Sequence, residues 1–427
     1  MARDLQSIVD SLGRRVRRAV ALDDPHLRLL AYNSHFGSVD PVRSASILHR
    51  KAPAKATSWV FGQGIRTATR PVRIPASAEL EMESRVCAPI RFEGELLGFL
   101  WLVDADESLT ERDLDVVQAA ADSAAAVLQL ERSLGELQRS KERELLRDLL
   151  SDESTVRRHA ADELVDANFF VPSKAVVALV VRVVQPQPTA GTDGHRPAIR
   201  IALDQIRGAL SPRHALQLDR PDHGVLAVAT EDAMLRIDGV DGLARRLVAA
   251  VEPKLRSGQG RVIVGVGETQ PTISDLAVSY EQARQAARLA EIVPAYAPVS
   301  MWNALGIYRT LLQFPVDHLK RNVLHPGLLG LIESESHDDL LGTLESFLDR
   351  GCSAKRTAAD LGLHRATLYY RLRRIEEIVG ADLEDGNDRL AIHLSLKLAR
   401  LAGLITPNGE SSDKPGARGV RAGHFDP

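Results

Sequence analysis

Residues 353–380 read "SAKRTAADLGLHRATLYYRLRRIEEIVG". Ser353 can cap a helix holding Ala354 to Leu361, and Gly362 supplies the positive φ of a tight turn. A second helix runs from about Arg365 to Val379 and stops at Gly380. Two short helices joined by a glycine turn form a helix-turn-helix. Counting Ala354 as the first position, the fifth is the small Ala358, which permits close approach, and the fifteenth is Leu368, which points back into a core. Leu361, Leu363, Leu372 and Ile375 are expected to complete the buried side. Arg365, Thr367, Tyr370, Arg371, Arg373 and Arg374 are left facing outward, with no acid before Glu376. The first residues of such a helix reach base edges in a major groove, and arginines further along meet phosphates. A solvated basic face on a structural helix is the plainer reading, but it leaves the small residue, the turn glycine and the inward leucine unexplained.

Upstream, "DDLLGTLESFLDRG" places Leu340, Leu341, Leu344, Phe347 and Leu348 on one helical face, with Gly351 ending that helix. The net charge of −3 does not oppose nucleic-acid binding, because positive charge can be confined to one small face. At 427 residues the chain exceeds one ordinary core. No apolar run is long enough to span a membrane, and the N-terminus has no signal-peptide core. Cys87 and Cys352 are the only cysteines and have no His or Asp cluster beside them. Neither a disulfide nor a zinc site is expected, and a reducing cytoplasm fits, with the protein associated with the nucleoid.

The first third alternates strands and helices: "HLRLLAYNS" (26–34) is strand-like, and "ESRVCAPIRFEGELLGFLWLVD" (83–104) reads as a hairpin turning at Glu93-Gly94. A helix then runs from Thr110 to Leu150. Leu130, Leu134 and Leu137 keep coiled-coil spacing, Lys141 interrupts it, and Leu145 and Leu149 resume it. Packing on its own domain or pairing in a short dimeric coil both fit this seam. The middle third opens on "KAVVALVVRV" (174–183), a strand apolar on both faces, followed by the loop "QPQPTAGTDGH". A helix near 197–210, the strands "ALQLD" and "GVLAVAT", a helix near 240–256, the strand "RVIVGVG" and a helix over 274–291 follow. This order suggests a sheet with helices on one side. Gly265-x-Gly267 reads as a strand end, since no third glycine or Walker lysine follows. From Leu305 to Leu404 the chain is helical, and the polar tail beyond it is expected to be disordered.

Residues 340–400 resemble the C-terminal helix-turn-helix of PucR/CdaR-type transcriptional regulators, through "LLGTLESFLDRG", "TAADLGLHRATLYYRLRRIEEIVGADL" and "DRLAIHLSLKLARL". The two inner helices are also similar to the DNA-binding end of Fis-type proteins, which implies His364 and Arg365 at the start of the recognition helix. "RVCAPIRFEGELLGFLWLVDADESLTERDLDVVQAAADSAAAVL" is similar to the closing hairpin and exit helix of a GAF-type sensor. The unit ending "VGVGETQPTISDLAVSYEQARQAARLA" looks like a GGDEF-like domain. Active cyclases of that fold need a GG(D/E)EF turn and an Asp on the first strand. Here the turn is "RPDHG" and the strand "VVALVVRVV" carries no acid, so Asp222 alone does not make a magnesium site.

The expected fold is multidomain α+β. It comprises a GAF-like α/β sensor (1–128), a linker helix (129–165), a degenerate GGDEF-like α/β domain (166–305), an all-α region with the helix-turn-helix (306–405, core 340–402) and a disordered tail (406–427). The expected function is DNA-binding transcriptional regulation in response to a small-molecule metabolite. The expected partners are double-stranded operator DNA, a small-molecule effector and a second copy of the chain or more. Lys355, Arg356, Thr357, His364, Arg365, Thr367, Tyr370, Arg371, Arg373 and Arg374 are the expected DNA contacts. No catalytic residue, cofactor or metal is expected. HExxH, CxxC and GxSxG are absent, and the thirteen histidines are scattered. Trp59, Phe61 and Trp101 could line a sensor pocket or pack in its core. A nucleotide cyclase or hydrolase that also binds DNA, and a protein-interaction scaffold, are the alternatives.

Overall fold

The computed structural model describes residues 2–33, 40–185, 195–255, 260–314, 324–333 and 338–405. Most of the "QPQPTAGTDGH" loop and the tail from residue 406 lie outside the described residues. The chain divides into two compact units, Met1–Lys141 and Glu142–Pro427.

The first unit contains α1 (Ala2–Val16), β1 (Val20–Asp23), β2 (Leu29–Tyr32), α2 (Pro41–His49), α3 (Ala54–Gly62), β3 (Val72–Ile74), β4 (Arg85–Phe92), β5 (Glu95–Val103) and most of α4 (Glu111–Leu149). The strands form one antiparallel sheet in the order β2-β1-β5-β4-β3. β4 and β5 turn at Glu93 and Gly94, both at positive φ, the geometry of the favoured two-residue hairpin. Alternation splits the side chains between two cores. Leu22, Leu100 and Leu102 face Leu5, Val9 and Leu12 of α1 and Val117, Ala121 and Ala124 of α4. Phe99 and Trp101 face Val42 of α2, Val60 of α3 and Ile74 of β3. β1 and β3 were not anticipated, because three or four residues carry too little alternation to register.

In the second unit, the last turns of α4 are followed by α5 (Ser154–Asp166), β6 (Val176–Val184), α6 (Arg196–Ala209), β7 (Ala215–Asp219), β8 (Gly224–Ala229), α7 (Ala233–Val251), β9 (Arg261–Val266), α8 (Leu276–Ile292) and β10 (Val299–Met301). The sheet order is β10-β9-β6-β8-β7, with β6 central and antiparallel to both neighbours. α7 is broken at Gly239 (φ 68°, ψ 177°), so the helix expected from about 240 is its second segment.

Helices cover both faces of this sheet, which corrects the one-sided expectation. Val177, Leu179 and Val181 meet Ile199, Leu203 and Leu247 of α6 and α7. Val176 and Ala178 meet Leu145, Leu149 and Leu164 of α4 and α5, and Val180 meets Ala283 and Ala287 of α8. Six successive apolar residues, Val176 to Val181, require cover on each side of the strand, and the sequence already contained that condition.

The two glycines of "RVIVGVG" set the distance between β9 and α8. A Cβ at Gly265 would fall 2.0 Å from the carbonyl oxygen of Ala283, and one at Gly267 would fall 2.0 Å from that of Ser279. Ser279 is fully buried, and its hydroxyl accepts a hydrogen bond from the backbone N–H of Ala178 at 2.9 Å. The glycines permit backbone-to-backbone packing, a role unrelated to phosphate. Two further helices, α9 (Tyr308–Leu311) and α10 (Pro326–Glu333), lead into a last core that also includes Ala286 and Leu289 of α8.

Candidate DNA interface

Among the described residues, four more helices follow: α11 (Asp338–Asp349), α12 (Ala354–Asp360), α13 (Arg365–Val379) and α14 (Gly386–Leu401). Their boundaries follow from single residues. Gly351, Gly362 and Gly380 adopt positive φ of 65°, 63° and 67°. The Ser353 hydroxyl accepts from the N–H of Arg356, and the Asp385 carboxylate accepts from the N–H groups of Asn387 and Asp388. His364 caps α13 through Nδ1, which accepts from the N–H of Ala366 at 3.3 Å.

Leu368, Leu372, Ile375 and Val379 form the inner face of α13, against Leu344, Phe347, Ala358, Ile392 and Leu396. Ion pairs surround that core. Arg350 bonds Asp360 at 2.5 Å, and Arg400 holds Glu345 in a two-pronged pair. Asp349 of α11 accepts from His393 and Lys397 of α14, each at 2.8 Å. Burial raises the Asp349 pKa, but those two donors outweigh it and hold the group at about 2.

The side chains expected to meet DNA do not all occupy one surface. Lys355 and Arg356 of α12 and His364, Arg365, Thr367, Tyr370, Arg373 and Arg374 are exposed. Thr357 is corrected: it is fully buried, and its hydroxyl donates to the carbonyl of Ser353 at 3.0 Å. It lies four residues after the cap, on the inner side of α12. Arg371 is also turned away. Its guanidinium donates to the Asp339 carboxylate at 3.1 Å and the Thr343 hydroxyl at 3.2 Å, fastening α13 to α11. Arg374 is paired with Glu377 one turn on, at 2.8 Å in solvent, where such pairs stabilise little. Leu361, expected in the core, is exposed in the turn. Tyr369 was overlooked and is exposed. It lies four residues from both Arg365 and Arg373, so the three form one flank of α13, a spacing visible in the sequence.

In the middle domain, the β7–β8 turn stands where a cyclase would carry its acidic motif. Asp222 there bonds His223 Nδ1 at 2.8 Å, and His223 Nε2 meets the Tyr280 hydroxyl at 2.9 Å. Burial lowers the His223 pKa, against the pull of the Asp222 carboxylate. Among the described residues, no three His, Cys, Asp or Glu side chains converge as a metal site. In the sensor, Phe61 stacks at a tilt on Phe99, and Phe99 on Trp101, with centroids 6.2 and 6.0 Å apart. Trp59 and Phe61 are half-buried against the core, Trp59 also lines an open surface pocket, and Trp101 alone of the three borders the cavity between the sheet and α2 and α3.

Models of three domain families match the chain: a GAF domain over residues 4–128, a GGDEF-like domain over 170–289 and the PucR C-terminal helix-turn-helix domain over 340–398. That set, ending in a helix-turn-helix, defines a DNA-binding transcriptional regulator. Its C-terminal domain is of the PucR helix-turn-helix type, and over most of its length the chain is similar to PucR/CdaR-type regulators. It is similar to the proline-responsive transcriptional activator PutR of Bacillus subtilis (strain 168), with 24% identity over 93% of this chain and 97% of that one. The DNA-binding transcriptional activator AdeR of the same organism is 23% identical over 93% of each chain. The carbohydrate diacid regulator of Escherichia coli (strain K12) is 23% identical over 73% of this chain and 78% of its own. No described helix is long and apolar enough to cross a membrane.

Proposed function

We propose that the chain is a one-component cytoplasmic regulator that reads operator DNA through α13, as a dimer, under control of a small molecule held by the GAF unit. The observation that carries the reading is the division of α13. One face is wholly apolar and buried, and the other presents Arg365, Tyr369, Tyr370, Arg373 and Arg374. Arg365 and Thr367 enter the major groove and read bases, while Lys355, Arg356, Arg373 and Arg374 hold phosphates. Arg371 sets the angle of the helix through Asp339. The middle domain works as a scaffold with no nucleotide chemistry, since Asp222 is its lone turn acid and is engaged by His223.

Dimerisation is assigned to α4. Leu130, Leu134 and Leu137 are 61%, 43% and 66% exposed, a leucine seam left largely uncovered by the described residues, whereas Leu145 and Leu149 beyond it are buried. A second copy pairing along the seam would present two recognition helices to adjacent half-sites and multiply affinity. Two of the relatives bear the names of a proline-responsive activator and a carbohydrate diacid regulator, which supports a metabolite as effector.

The test compares Arg365→Ala and Arg374→Ala on cognate and scrambled duplexes at several salt concentrations. Arg365→Ala should lose roughly 1–3 kcal/mol on the cognate duplex alone. Arg374→Ala should weaken both duplexes alike and reduce the salt slope by about one. Equal loss on both duplexes for Arg365→Ala would remove it from base reading. Parental binding by both variants would overturn the assignment of α13. Sedimentation of a Leu134→Glu variant as a monomer tests the seam, and steady conversion of GTP to a cyclic dinucleotide would refute the scaffold role.

A further inference from the structure

The cavity in the sensor unit has a volume of about 50 Å³ and lies between the sheet and the helices α2 and α3. Much of its wall is aliphatic, with Val42, Val60 and Met82 among the lining residues, yet Asp23, Arg43, Arg85 and the Trp101 indole also line it. The three charged residues are 8%, 7% and 9% exposed. Burying a charge costs several kcal/mol unless a partner compensates it, so the partners decide what the cavity can hold.

Arg85 is compensated. Its guanidinium bonds the Asp40 carboxylate at 2.5 Å, and Asp40 also accepts the backbone N–H groups of Arg43 and Glu83. The other two are not. Arg43 donates to the carbonyl oxygen of Asn33 at 2.6 Å but forms no ion pair with a described carboxylate. Asp23 ends β1 where a bulge shifts the register against β2, and no described cation bonds it. The Trp101 N–H is buried and faces this carboxylate without closing a hydrogen bond. An acid, a base and an indole donor therefore border one small, largely aliphatic cavity, and neither the acid nor the base has a bonded ion-pair partner among the described residues, although each feels the other's charge across it.

We infer that the sensor cavity takes a small zwitterionic amino acid, with its ammonium on Asp23, its carboxylate on Arg43 and its side chain against Val42, Val60 and Met82. The assignment rests on the reading of this unit as the effector sensor. A zwitterion bonds both groups at once, while an amine or an acid alone would leave one of them without a bonded partner. The small volume favours a short aliphatic or cyclic side chain over an aromatic ring. Burial and the neighbouring Asp24 charge push the Asp23 carboxyl up to about 7, against the pull of Trp101, Arg85 and Arg43. The other titratable groups facing it are Asp40, paired with Arg85, and the Cys87 thiol, which burial keeps protonated. An arriving ammonium favours the ionised carboxylate, so binding at neutral pH releases a proton, and affinity rises as the pH climbs through about 7.

The experiment is calorimetric titration of the full chain with L-alanine, L-valine and L-proline. Each is compared with its amine analogue (ethylamine, isobutylamine, pyrrolidine) and with the acid analogues propionate and isovalerate. At least one amino acid should saturate below about 1 mM. Its amine and acid analogues should bind at least tenfold more weakly, and the apparent enthalpy should vary with the ionisation enthalpy of the buffer. Asp23→Asn and Arg43→Lys should each weaken binding tenfold or more. Trp101→Phe, which removes only the N–H, should weaken it severalfold, and so covers the case in which a charge variant fails to fold. The proposal is overturned if no amino acid saturates by about 10 mM, if an acid or an amine binds as tightly as its parent, or if Asp23→Asn and Trp101→Phe bind unchanged. A parallel titration with operator DNA separates the two readings, because intact DNA binding without amino-acid binding defeats this inference alone.

Discussion

The sensor sheet and the middle sheet are each five-stranded, largely antiparallel and covered on both faces by helices. They use their interiors in opposite ways. The middle sheet is filled until backbones touch: β6 is apolar on both sides, and Gly265 and Gly267 bring α8 against β9 with no side chain between them. The sensor sheet instead keeps a cavity and places Asp23, Arg43 and Arg85 beside it. A packed interior transmits displacement because it cannot absorb it. A hollow one holding charges without full compensation sacrifices stability for selectivity in what may enter. On the proposed function, the difference separates the part of the molecule that responds from the part that carries the response.

The largest expected effect tests the filled side. Gly265→Val should destabilise the second unit by at least about 3 kcal/mol, because the added atoms meet the backbone of α8 and not a movable side chain. Gly62→Ala in the sensor meets nothing within 4 Å and should change stability by no more than about 0.5 kcal/mol. Urea unfolding of the two variants measures both, and similar losses would erase the contrast. Val180→Ala, in the filled sheet, should cost about 2 kcal/mol, against about 1 kcal/mol for Val60→Ala at the cavity wall, where some neighbouring atoms are already missing.

Asp23 and Asp222 provide the finer test, since one ends a sensor strand and the other sits in the turn between two middle-sheet strands. The folded pKa of Asp23 is raised to about 7, above its unfolded value. Between about pH 4 and 7 the folded chain therefore holds more protons than the unfolded chain, and stability falls as pH rises through that window. Asp23→Asn should flatten this slope, gaining roughly 1–3 kcal/mol at pH 8 relative to pH 4 in thermal unfolding. Asp222 behaves oppositely. Burial tends to raise its pKa, but His223 and Arg182 prevail and lower it. Its contribution is therefore present above the unfolded carboxyl pKa and lost as pH falls below it. Asp222 is largely exposed, so Asp222→Asn should alter stability by only a few tenths of a kcal/mol. A large effect at Asp222 would mean that the β7–β8 turn does more than close a hairpin.

Features governed by local chemistry were legible in the sequence. Glu93-Gly94, Ser353, Gly362 and Gly380 each specify a turn or cap through their own backbone preferences, and each takes its expected place. The inner face of α13 was legible for the same reason, since Leu368, Leu372 and Ile375 recur at helical spacing. Properties that need distant partners were hidden. Nothing beside Arg371 indicates Asp339 and Thr343, about thirty residues back, as the groups that hold it against α11. Thr357 resembles any exposed helix-start threonine until the packing of α11 against α12 encloses it. The sensor charges were the least visible. Asp23, Arg43 and Arg85 belong to three separate elements, and only the sheet register and the placement of α2 bring them to one cavity.

The glycine pair on β9 also has a genetic consequence. Every missense change at a glycine codon adds at least a Cβ, so positions 265 and 267 have no conservative replacement. At each, the new atom would lie 2.0 Å from a carbonyl oxygen of α8. A random screen for loss of regulation should therefore collect alleles at these two codons as readily as on the recognition helix, although neither residue lies on that helix or lines the sensor cavity. Such alleles would be recessive nulls through failed folding, with low protein levels, and would be easily mistaken for defects in signalling.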